Sequence, residues 1–286
     1  MHNVLKIKKT AAVKLTLEEK LSHLKDFFAE KLTDGIIITY SGGVDSTFLL
    51  WAAKQVRENC GGKFIALSTT SASMPEYDKK DASAFTTKHK IDHVWIESKE
   101  IDNPQYQQND SMRCYHCKTE LFDIAGSFAK KNNYRWIVYG YNASDIGDDR
   151  PGHQAAIENN ILFPLADFGF EKNEIRAILR ENNIEIAEKP ASPCLSSRIA
   201  RGIQVTTGRL GDIAALESLI RKSGIRVFRV RINSSNDEDF LRIEIADNEM
   251  EKILSIKNDL INEGKSRGYK WITLDLAGYR TGGANE

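Results

Sequence analysis

Short apolar runs alternate with longer periodic segments along the first two thirds of the chain. The runs have the length of buried strands and fall at residues 36–38, 64–67, 93–96 and 136–140, with a short fifth candidate at 161–165. The periodic segments carry apolar residues on one helical face and cover residues 17–32, 47–53, 78–89, 119–131 and 170–183. Strands that alternate with helices predict an α/β fold with a doubly wound parallel sheet.

The last third of the chain follows a different pattern. A helix at 212–223 precedes two segments that alternate with period two, and a helix and a final strand follow, at 227–232, 240–245, 248–263 and 271–275. This order predicts a small C-terminal α+β domain. Residues 188–208 are rich in Pro, Ser, Arg and Gly without periodicity, so we interpret them as an active-site loop. The predicted units are a strand-and-helix domain with an N-terminal helix (1–188), the loop with a connecting helix (189–223) and the small domain (224–286).

A glycine-rich segment, Ser-Gly-Gly-Val-Asp-Ser at residues 41–46, joins the first predicted strand to a helix. The free N–H groups at a helix start attract an anion, and Gly42 and Gly43 let the backbone approach it closely. Ser41 and Ser46 add hydroxyl donors, so the segment predicts a pyrophosphate site. It lacks the Lys of a Walker A loop and does not have the GxGxxG spacing. An ordinary glycine-rich turn between strand and helix is the alternative.

Composition narrows the function classes. Apolar residues make up 41% and charged residues 28% of the 286 positions, as in a globular protein, and the formal net charge is zero. Proteins that bind mainly RNA more often carry a basic excess, so nucleic acid is disfavoured as a partner. No apolar run approaches the roughly 20 residues of a membrane span. The first residues lack the apolar core of a signal peptide, and we expect a cytoplasmic protein.

Three of the four cysteines lie in polar motifs. Cys114 and Cys117 belong to Arg-Cys-Tyr-His-Cys-Lys, Cys194 belongs to Pro-Cys-Leu-Ser-Ser-Arg, and Cys60 has no motif around it. A Cys-x-x-Cys pair suits a redox centre or half of a zinc site. Structural zinc needs four ligands, however, and His116 stands between the cysteines and cannot easily join them. Three cysteines without a clear fourth ligand suit a [4Fe–4S] cluster with one open iron, although the sequence does not show that they meet in space.

Five motifs follow one another in a characteristic order: the glycine-rich segment, the Cys-x-x-Cys block, the loop at 140–145, the Cys194 motif and the Arg-Val-Arg strand at 229–231. Together they resemble the LarE-type sulfur transferases of nickel-pincer nucleotide cofactor synthesis, over about residues 15–280. The resemblance implies a sheet of the adenine nucleotide alpha-hydrolase (PP-loop) type, with ATP and Mg²⁺ as cofactors. It implies a homo-oligomeric enzyme that adenylates the carboxylates of pyridinium-3,5-biscarboxylic acid mononucleotide. Thiocarboxylates would form, and AMP and pyrophosphate would be released.

The resemblance also implies roles for individual residues. ATP would bind through Ser41, Gly42, Gly43, Val44, Asp45, Ser46 and Ser68. Magnesium would be held by Asp45, Asp145 and Glu217. The phosphate of the mononucleotide would contact Lys118, Ser197, Arg198, Arg229 and Arg231. The last two arginines lie two positions apart on a predicted strand and share one face, and arginine suits bidentate recognition of phosphate.

Two sulfur sources occur in LarE-type enzymes. One branch sacrifices the sulfur of a single cysteine, whose position matches Cys194. The other branch has three cysteines and delivers a sulfide held on a [4Fe–4S] cluster. Cys114, Cys117 and Cys194 match this second pattern, so the resemblance implies that these cysteines are catalytic together with Asp45. It does not identify the cellular donor of the sulfide.

Simpler interpretations are open for several residues and for the whole chain. Asp145 lies in an acidic run with Asp148 and Asp149 and would then be a solvated carboxylate, and Arg229 and Arg231 would form a solvated strand face. A tRNA thiouridylase would use the same adenylating domain on a different acceptor. An ammonia-dependent amide synthetase would not need the cysteines. A non-catalytic nucleotide-binding or sulfide-storage protein is the remaining alternative.

Overall fold

A four-stranded sheet forms the centre of the first part of the molecule. The computed structural model describes residues 15–146 and 151–280. The strands are β1 (Ile36–Thr39), β2 (Phe64–Thr70), β3 (His93–Glu97) and β4 (Trp136–Val138). They lie in the order β3-β2-β1-β4, and every pair is parallel. The predicted parallel sheet of an α/β fold is therefore confirmed.

Helices cover both faces of this sheet. They are α1 (Leu17–Lys31), α2 (Val44–Cys60), α3 (Glu76–Lys88), α4 (Pro104–Gln107), α5 (Arg113–Asn132), α6 (Pro151–Glu158), α7 (Pro164–Asp167) and α8 (Lys172–Glu181). Ile36 and Ile38 pack in the core formed with α1, α2 and α8, whereas Ile37 packs with α5 on the opposite face. This alternation follows from the period of a strand, and it explains why β1 is an uninterrupted apolar run.

The fifth predicted strand is reduced to a single pairing. Leu162 forms one parallel bridge with Val138, and its N–H donates to the carbonyl of Ile137. The next residues cannot continue the pairing, because Pro164 has no N–H and begins α7. The prediction of a strand over residues 161–165 was therefore too long.

A second, three-stranded sheet follows in the last part of the chain. Its strands are β5 (Phe228–Ser235), β6 (Glu238–Ile245) and β7 (Ile272–Leu274), in that order. The first two form an antiparallel hairpin, and β7 pairs parallel to β6. Helices α9 (Thr207–Lys222), α10 (Met250–Ser255) and α11 (Lys257–Ser266) pack with this sheet in a separate apolar cluster. The helix predicted at 248–263 is thus divided in two at Ile256.

The irregular segment between α8 and α9 contacts both apolar clusters. Ile184 and Ala187 belong to the cluster of the parallel sheet, and Leu195 and Ile199 belong to the cluster of the second sheet. A 3₁₀ turn at Leu195–Arg198 directly follows Cys194. The predicted domain boundaries stay a prediction. Within the described residues, each helix is too short or too polar to cross a membrane.

Candidate functional site

The glycine-rich segment forms the turn between β1 and the start of α2. Gly43 is the residue before the first helical turn, and Gly42 has a φ of +69°, where a side chain would be strained. A Cβ on Gly42 would lie 3.1 Å from the Cβ of Ala82. The hydroxyl of Ser41 accepts a hydrogen bond from the N–H of Gly43, and the hydroxyl of Ser46 accepts one from the N–H of Ser41, each at 3.3 Å. The turn therefore gathers N–H and O–H groups at a helix N-terminus, as a phosphate site requires.

Asp45, in the first turn of α2, is mostly buried and forms an ion pair with Lys172 at the start of α8. Burial raises the pKa of Asp45, and the ammonium of Lys172 offsets part of this effect, while the charge of Asp145 adds to it. The other carboxylate oxygen of Asp45, Oδ1, is buried without a hydrogen-bond partner. A buried carboxylate oxygen beside a second carboxylate fits a magnesium ion, so Asp45 and Asp145 are suitable ligands.

Lys172 was not predicted from the sequence. Lys172 is the first residue of α8, where its positive charge is unfavourable next to the positive end of the helix dipole. This unfavourable position was the one sequence feature that could have indicated a role for Lys172. Asp148 and Asp149, the other members of the acidic run, lie outside the described residues. The third predicted magnesium ligand, Glu217, does not join Asp45 and Asp145 in a metal-binding group in the described part of the chain.

The two cysteines of the Cys-x-x-Cys motif lie within the first five residues of α5. This helix begins at Arg113, earlier than the predicted start at Thr119. Cys114 is exposed and Cys117 is half-buried. Burial raises the pKa of Cys117 well above its usual range, and the neighbouring carboxylate of Glu100 acts in the same direction. A helix start favours a thiolate, but the surroundings of Cys117 favour its thiol.

Two cations lie beside the cysteines. Burial by itself would lower the pKa of Lys118, but Tyr139 and the three cysteines Cys117, Cys194 and Cys114 raise it overall. For Arg113, burial is likewise outweighed by the charges of Cys194 and Cys114. Arg113, directly before Cys114, also donates to the carbonyl of Ser196 at 2.7 Å, so the loop that carries Cys194 lies against the start of α5.

The three cysteines do not form a site for a single metal ion. Among residues 15–146 and 151–280, no three His, Cys, Asp or Glu side chains are grouped closely enough to hold one. A [4Fe–4S] cluster places its thiolates on different irons, and three cysteines beside two cations have the donor chemistry for such a group. The iron–sulfur cluster is therefore compatible with the residues present and stays a prediction.

The three arginines predicted to bind phosphate hold the loop around Cys194. The guanidinium of Arg198 donates to the carbonyls of Pro193 and Cys194 and forms a buried ion pair with Glu217 at 3.0 Å. Arg229 donates to the carbonyl of Ala191. In the same way, Arg231 donates to the carbonyl of Ser197 at 3.1 Å and to the carboxylate of Glu244 at 2.5 Å. Phosphate binding by these arginines would replace contacts to the loop, and it stays a prediction.

Two predicted serines use their hydroxyls within the protein. Ser68 is buried, donates to the carbonyl of Tyr40 at 2.5 Å and lies 2.8 Å from Nε2 of His93. The hydroxyl of Ser197 donates to the carbonyl of Cys194 at 2.7 Å. The predicted contacts of Ser68 with ATP and of Ser197 with the substrate phosphate stay predictions. Cys60, the cysteine without a motif, is exposed at the end of α2.

Two consecutive residues, Tyr139 and Gly140, connect the glycine-rich turn to the helix that carries Cys114 and Cys117. The ring of Tyr139, directly after β4, lies under the ammonium of Lys118, whose Nζ is 5.0 Å from the ring centroid. The next residue, Gly140, packs against the glycine-rich turn. A Cβ added to Gly140 would lie 3.0 Å from the backbone nitrogen of Ser46 and 3.3 Å from the Cβ of Asp45. The glycine-rich turn and helix α5, which carries Cys114 and Cys117, therefore lie on the two sides of one short segment.

Comparison with known proteins identifies relatives along nearly the whole chain, although no family model matches it. The chain is 34% identical to the uncharacterized protein slr1717 of Synechocystis, over 94% of its own length and 98% of that protein. It is 31% identical to the uncharacterized protein MJ0830 of Methanocaldococcus jannaschii, over 92% and 98% of the two chains. A more distant relative, from Lactiplantibacillus plantarum, is named pyridinium-3,5-bisthiocarboxylic acid mononucleotide synthase. It is 27% identical over 88% of this chain and 89% of its own.

Proposed function

The chain belongs to the protein family of slr1717 and MJ0830, and we propose that it is an ATP-dependent sulfur transferase. The proposed substrate is pyridinium-3,5-biscarboxylic acid mononucleotide, whose carboxylates become thiocarboxylates. The name of the Lactiplantibacillus relative supports this substrate class. The proposed enzyme belongs to the PP-loop type and acts as a homo-oligomer in the cytoplasm.

The observation that carries this proposal is the shared segment at Tyr139 and Gly140. Adenylation and sulfur transfer must occur on the same carboxyl carbon, so the two centres have to lie within reach of one bound substrate. Gly140 contacts the phosphate loop at Ser46, and Tyr139 contacts Lys118 beside the cysteines. A substrate at this segment would therefore have ATP on one side and the sulfur source on the other.

Adenylation comes first, because a carboxylate is a poor electrophile at neutral pH. A carboxylate oxygen of the substrate would attack the α-phosphorus of ATP, the bond to the β-phosphate would break, and pyrophosphate would leave. The N–H groups at the start of α2 would hold the phosphates, and magnesium on Asp45 and Asp145 would neutralise their charge. Magnesium and the ammonium of Lys172 compete for the carboxylate of Asp45. When magnesium binds Asp45, Lys172 would therefore leave this carboxylate and pair with a phosphate oxygen of ATP.

Sulfur transfer follows on the acyl adenylate. A sulfur anion would attack the carbonyl carbon, and AMP would leave with the electron pair of the broken carbon–oxygen bond. Lys118 and Arg113 favour the anionic form of sulfur, which is the nucleophile. Cys114, Cys117 and Cys194 would hold a [4Fe–4S] cluster that, when bound, supplies the sulfur as hydrosulfide. In the competing route the thiolate of Cys194 would displace AMP and form a thioester. Loss of the α-proton of Cys194 would then break its Cβ–Sγ bond, which leaves dehydroalanine and the thiocarboxylate, so each chain acts once.

The test measures pyrophosphate release and thiocarboxylate formation by protein reconstituted anaerobically with iron and sulfide, with ATP, Mg²⁺ and the biscarboxylate mononucleotide. We expect both products from the wild type. Asp45→Asn should lower pyrophosphate release by roughly 100-fold or more, since it removes a charge that acts on the phosphates. Cys194→Ala should still release pyrophosphate but form no thiocarboxylate. Cys60→Ala is the matched control, because this cysteine is exposed and lies in no motif.

Iron content separates the two sulfur routes. About four irons per wild-type chain, lost in Cys194→Ala, would support the cluster. Little iron together with dehydroalanine at position 194 would support the sacrificial route. Absence of pyrophosphate release with this substrate would contradict the proposed reaction. Tight, salt-sensitive binding of tRNA in place of the mononucleotide would favour a thiouridylase.

A further inference from the structure

Asn109, between α4 and α5, organises the segment that follows Cys194. It is fully buried and has a left-handed backbone with a φ of +55°. Its side-chain Nδ2 donates to the carbonyls of Ile199, Ala200 and Ile203, at 3.2, 2.8 and 2.9 Å. A buried amide that serves three carbonyls of an irregular segment replaces the hydrogen bonds that a helix or sheet would supply.

Arg113 connects this amide to the cysteine-bearing helix. Its Nη1 donates to Oδ1 of Asn109 at 2.5 Å and to the carbonyl of Ser196 at 2.7 Å. Arg113 is the first residue of α5, so it directly precedes Cys114 and lies one helical turn before Cys117. One guanidinium therefore contacts the loop two residues after Cys194 and begins the helix that carries the other two sulfurs.

We propose that Arg113 and Asn109 are positioning residues that set the separation between Cys194 and the α5 cysteines. The significance of this role for sulfur transfer rests on the proposed function, but the separation itself is a property of the protein without cofactors. The planar guanidinium holds two acceptors in a fixed geometry, which the flexible ammonium of lysine does not reproduce. Loss of either residue should leave Cys194 on a loop that is no longer tied to α5.

The test is thiol cross-linking of the full-length protein without cluster or substrate. A short bis-maleimide is applied in a Cys60→Ser background, which removes the exposed cysteine outside the site. Peptide mapping gives the yield of the Cys114–Cys194 cross-link, and a monofunctional maleimide gives the reactivity of each thiol alone. The variants are Arg113→Lys and Asn109→Asp; the second keeps an acceptor for Arg113 and removes the three donations to the loop. Arg209→Lys is the matched control, because Arg209 binds Asp239 on β6.

We expect the cross-link yield to fall several-fold in both test variants and to stay unchanged in the control. The reaction rates with the monofunctional maleimide and the urea midpoint should change less than the cross-link yield. The reason is that the variants alter the distance between Cys114 and Cys194 more than the reactivity of either thiol or the stability of the fold. Equal yields in all variants would overturn the proposal. If Asn109→Asp does not fold, Arg113→Lys decides alone, since it leaves the Asn109 bonds to the loop in place. Inactivity of the reconstituted wild type would contradict the proposed function without changing these yields.

Discussion

Lys172 and Asp45 form a charged pair beside the glycine-rich turn at the start of α2. We predict that Lys172→Met destabilises the protein by about 1–2 kcal/mol near pH 8, because Asp45 keeps a mostly buried charge without its partner. The range is modest because Lys172 is 38% exposed and solvent screens the pair. The pKa of Asp45 is already raised by burial and should rise further. Urea unfolding of wild type and variant measures the difference.

The pH dependence of this loss follows from the direction of the shift. A raised carboxyl pKa in the folded state costs stability once the pH exceeds the ordinary value of about 4, and the cost is complete above the folded pKa. The variant should therefore differ less from the wild type near pH 4 than near pH 8. Lys88→Met is the matched control, because its pair with Glu185 is mostly exposed and should change stability by about 0–0.5 kcal/mol. A loss that is equal at both pH values would contradict the prediction.

Gly140 follows β4 and packs against the glycine-rich turn, so there is little room for a side chain at this position. In Gly140→Ala the new methyl group would lie 3.0 Å from the backbone nitrogen of Ser46, and the loop would have to shift. We predict a loss of about 1–3 kcal/mol in stability and a higher KM for ATP. Gly126→Ala is the control, because this helical glycine has open space around it and should become more stable by up to about 1 kcal/mol. Unchanged ATP kinetics in Gly140→Ala would contradict the contact.

The elements that the sequence predicts best have patterns set by burial. β1 is an apolar run over residues 36–38 because both of its faces are covered, and α1 was predicted from an apolar face on which Leu24 and Phe28 are buried. The start of α5 was missed because its first turn, from Arg113, is polar and reads as a loop. Its N-cap residue, Met112, makes no side-chain capping bond, so the usual signal is absent.

His93, the first residue of β3, bridges Ser68 on β2 and Thr86 on α3. Its Nε2 lies 2.8 Å from the hydroxyl of Ser68, and its Nδ1 lies 3.0 Å from that of Thr86. Burial lowers the pKa of His93 from 6.5 to about 4. An unfolded chain binds this proton more readily, so stability should fall as the pH drops from about 6.5 to about 4. Urea midpoints at several pH values should show this slope.

The matched variant for this prediction is His93→Gln, which keeps an acceptor and a donor but does not titrate in this range. The slope of stability between about pH 6.5 and 4 should be smaller in the variant than in the wild type. His89, also partly buried at the end of α3, contributes in the same direction, because burial lowers its pKa as well. Identical slopes in wild type and His93→Gln would assign the effect to other groups.

Across the whole molecule, the site could be predicted only where it is local in sequence. The glycine-rich segment is continuous, so its position between β1 and α2 could be predicted from its residue types. The bond between Arg113 and Ser196 spans 83 positions, and the pair of Asp45 and Lys172 spans 127. Such contacts depend on how the sheet and the loop after α8 are placed. For this reason the positions of Lys172 and Asn109 in the site were missed, although the cysteines themselves were recognised.

The buried pair of Arg198 and Glu217 joins the Cys194 loop to α9. Burial by itself would lower the pKa of Arg198, but Glu217 raises it overall, so the guanidinium stays charged. Glu217→Gln should cost about 3–5 kcal/mol in urea unfolding, because it leaves Arg198 buried without a counter-ion. Arg198→Met in the same background should add little, since neighbours in one network are not additive. If Arg198 instead served only substrate phosphate, Glu217→Gln would raise KM at unchanged stability.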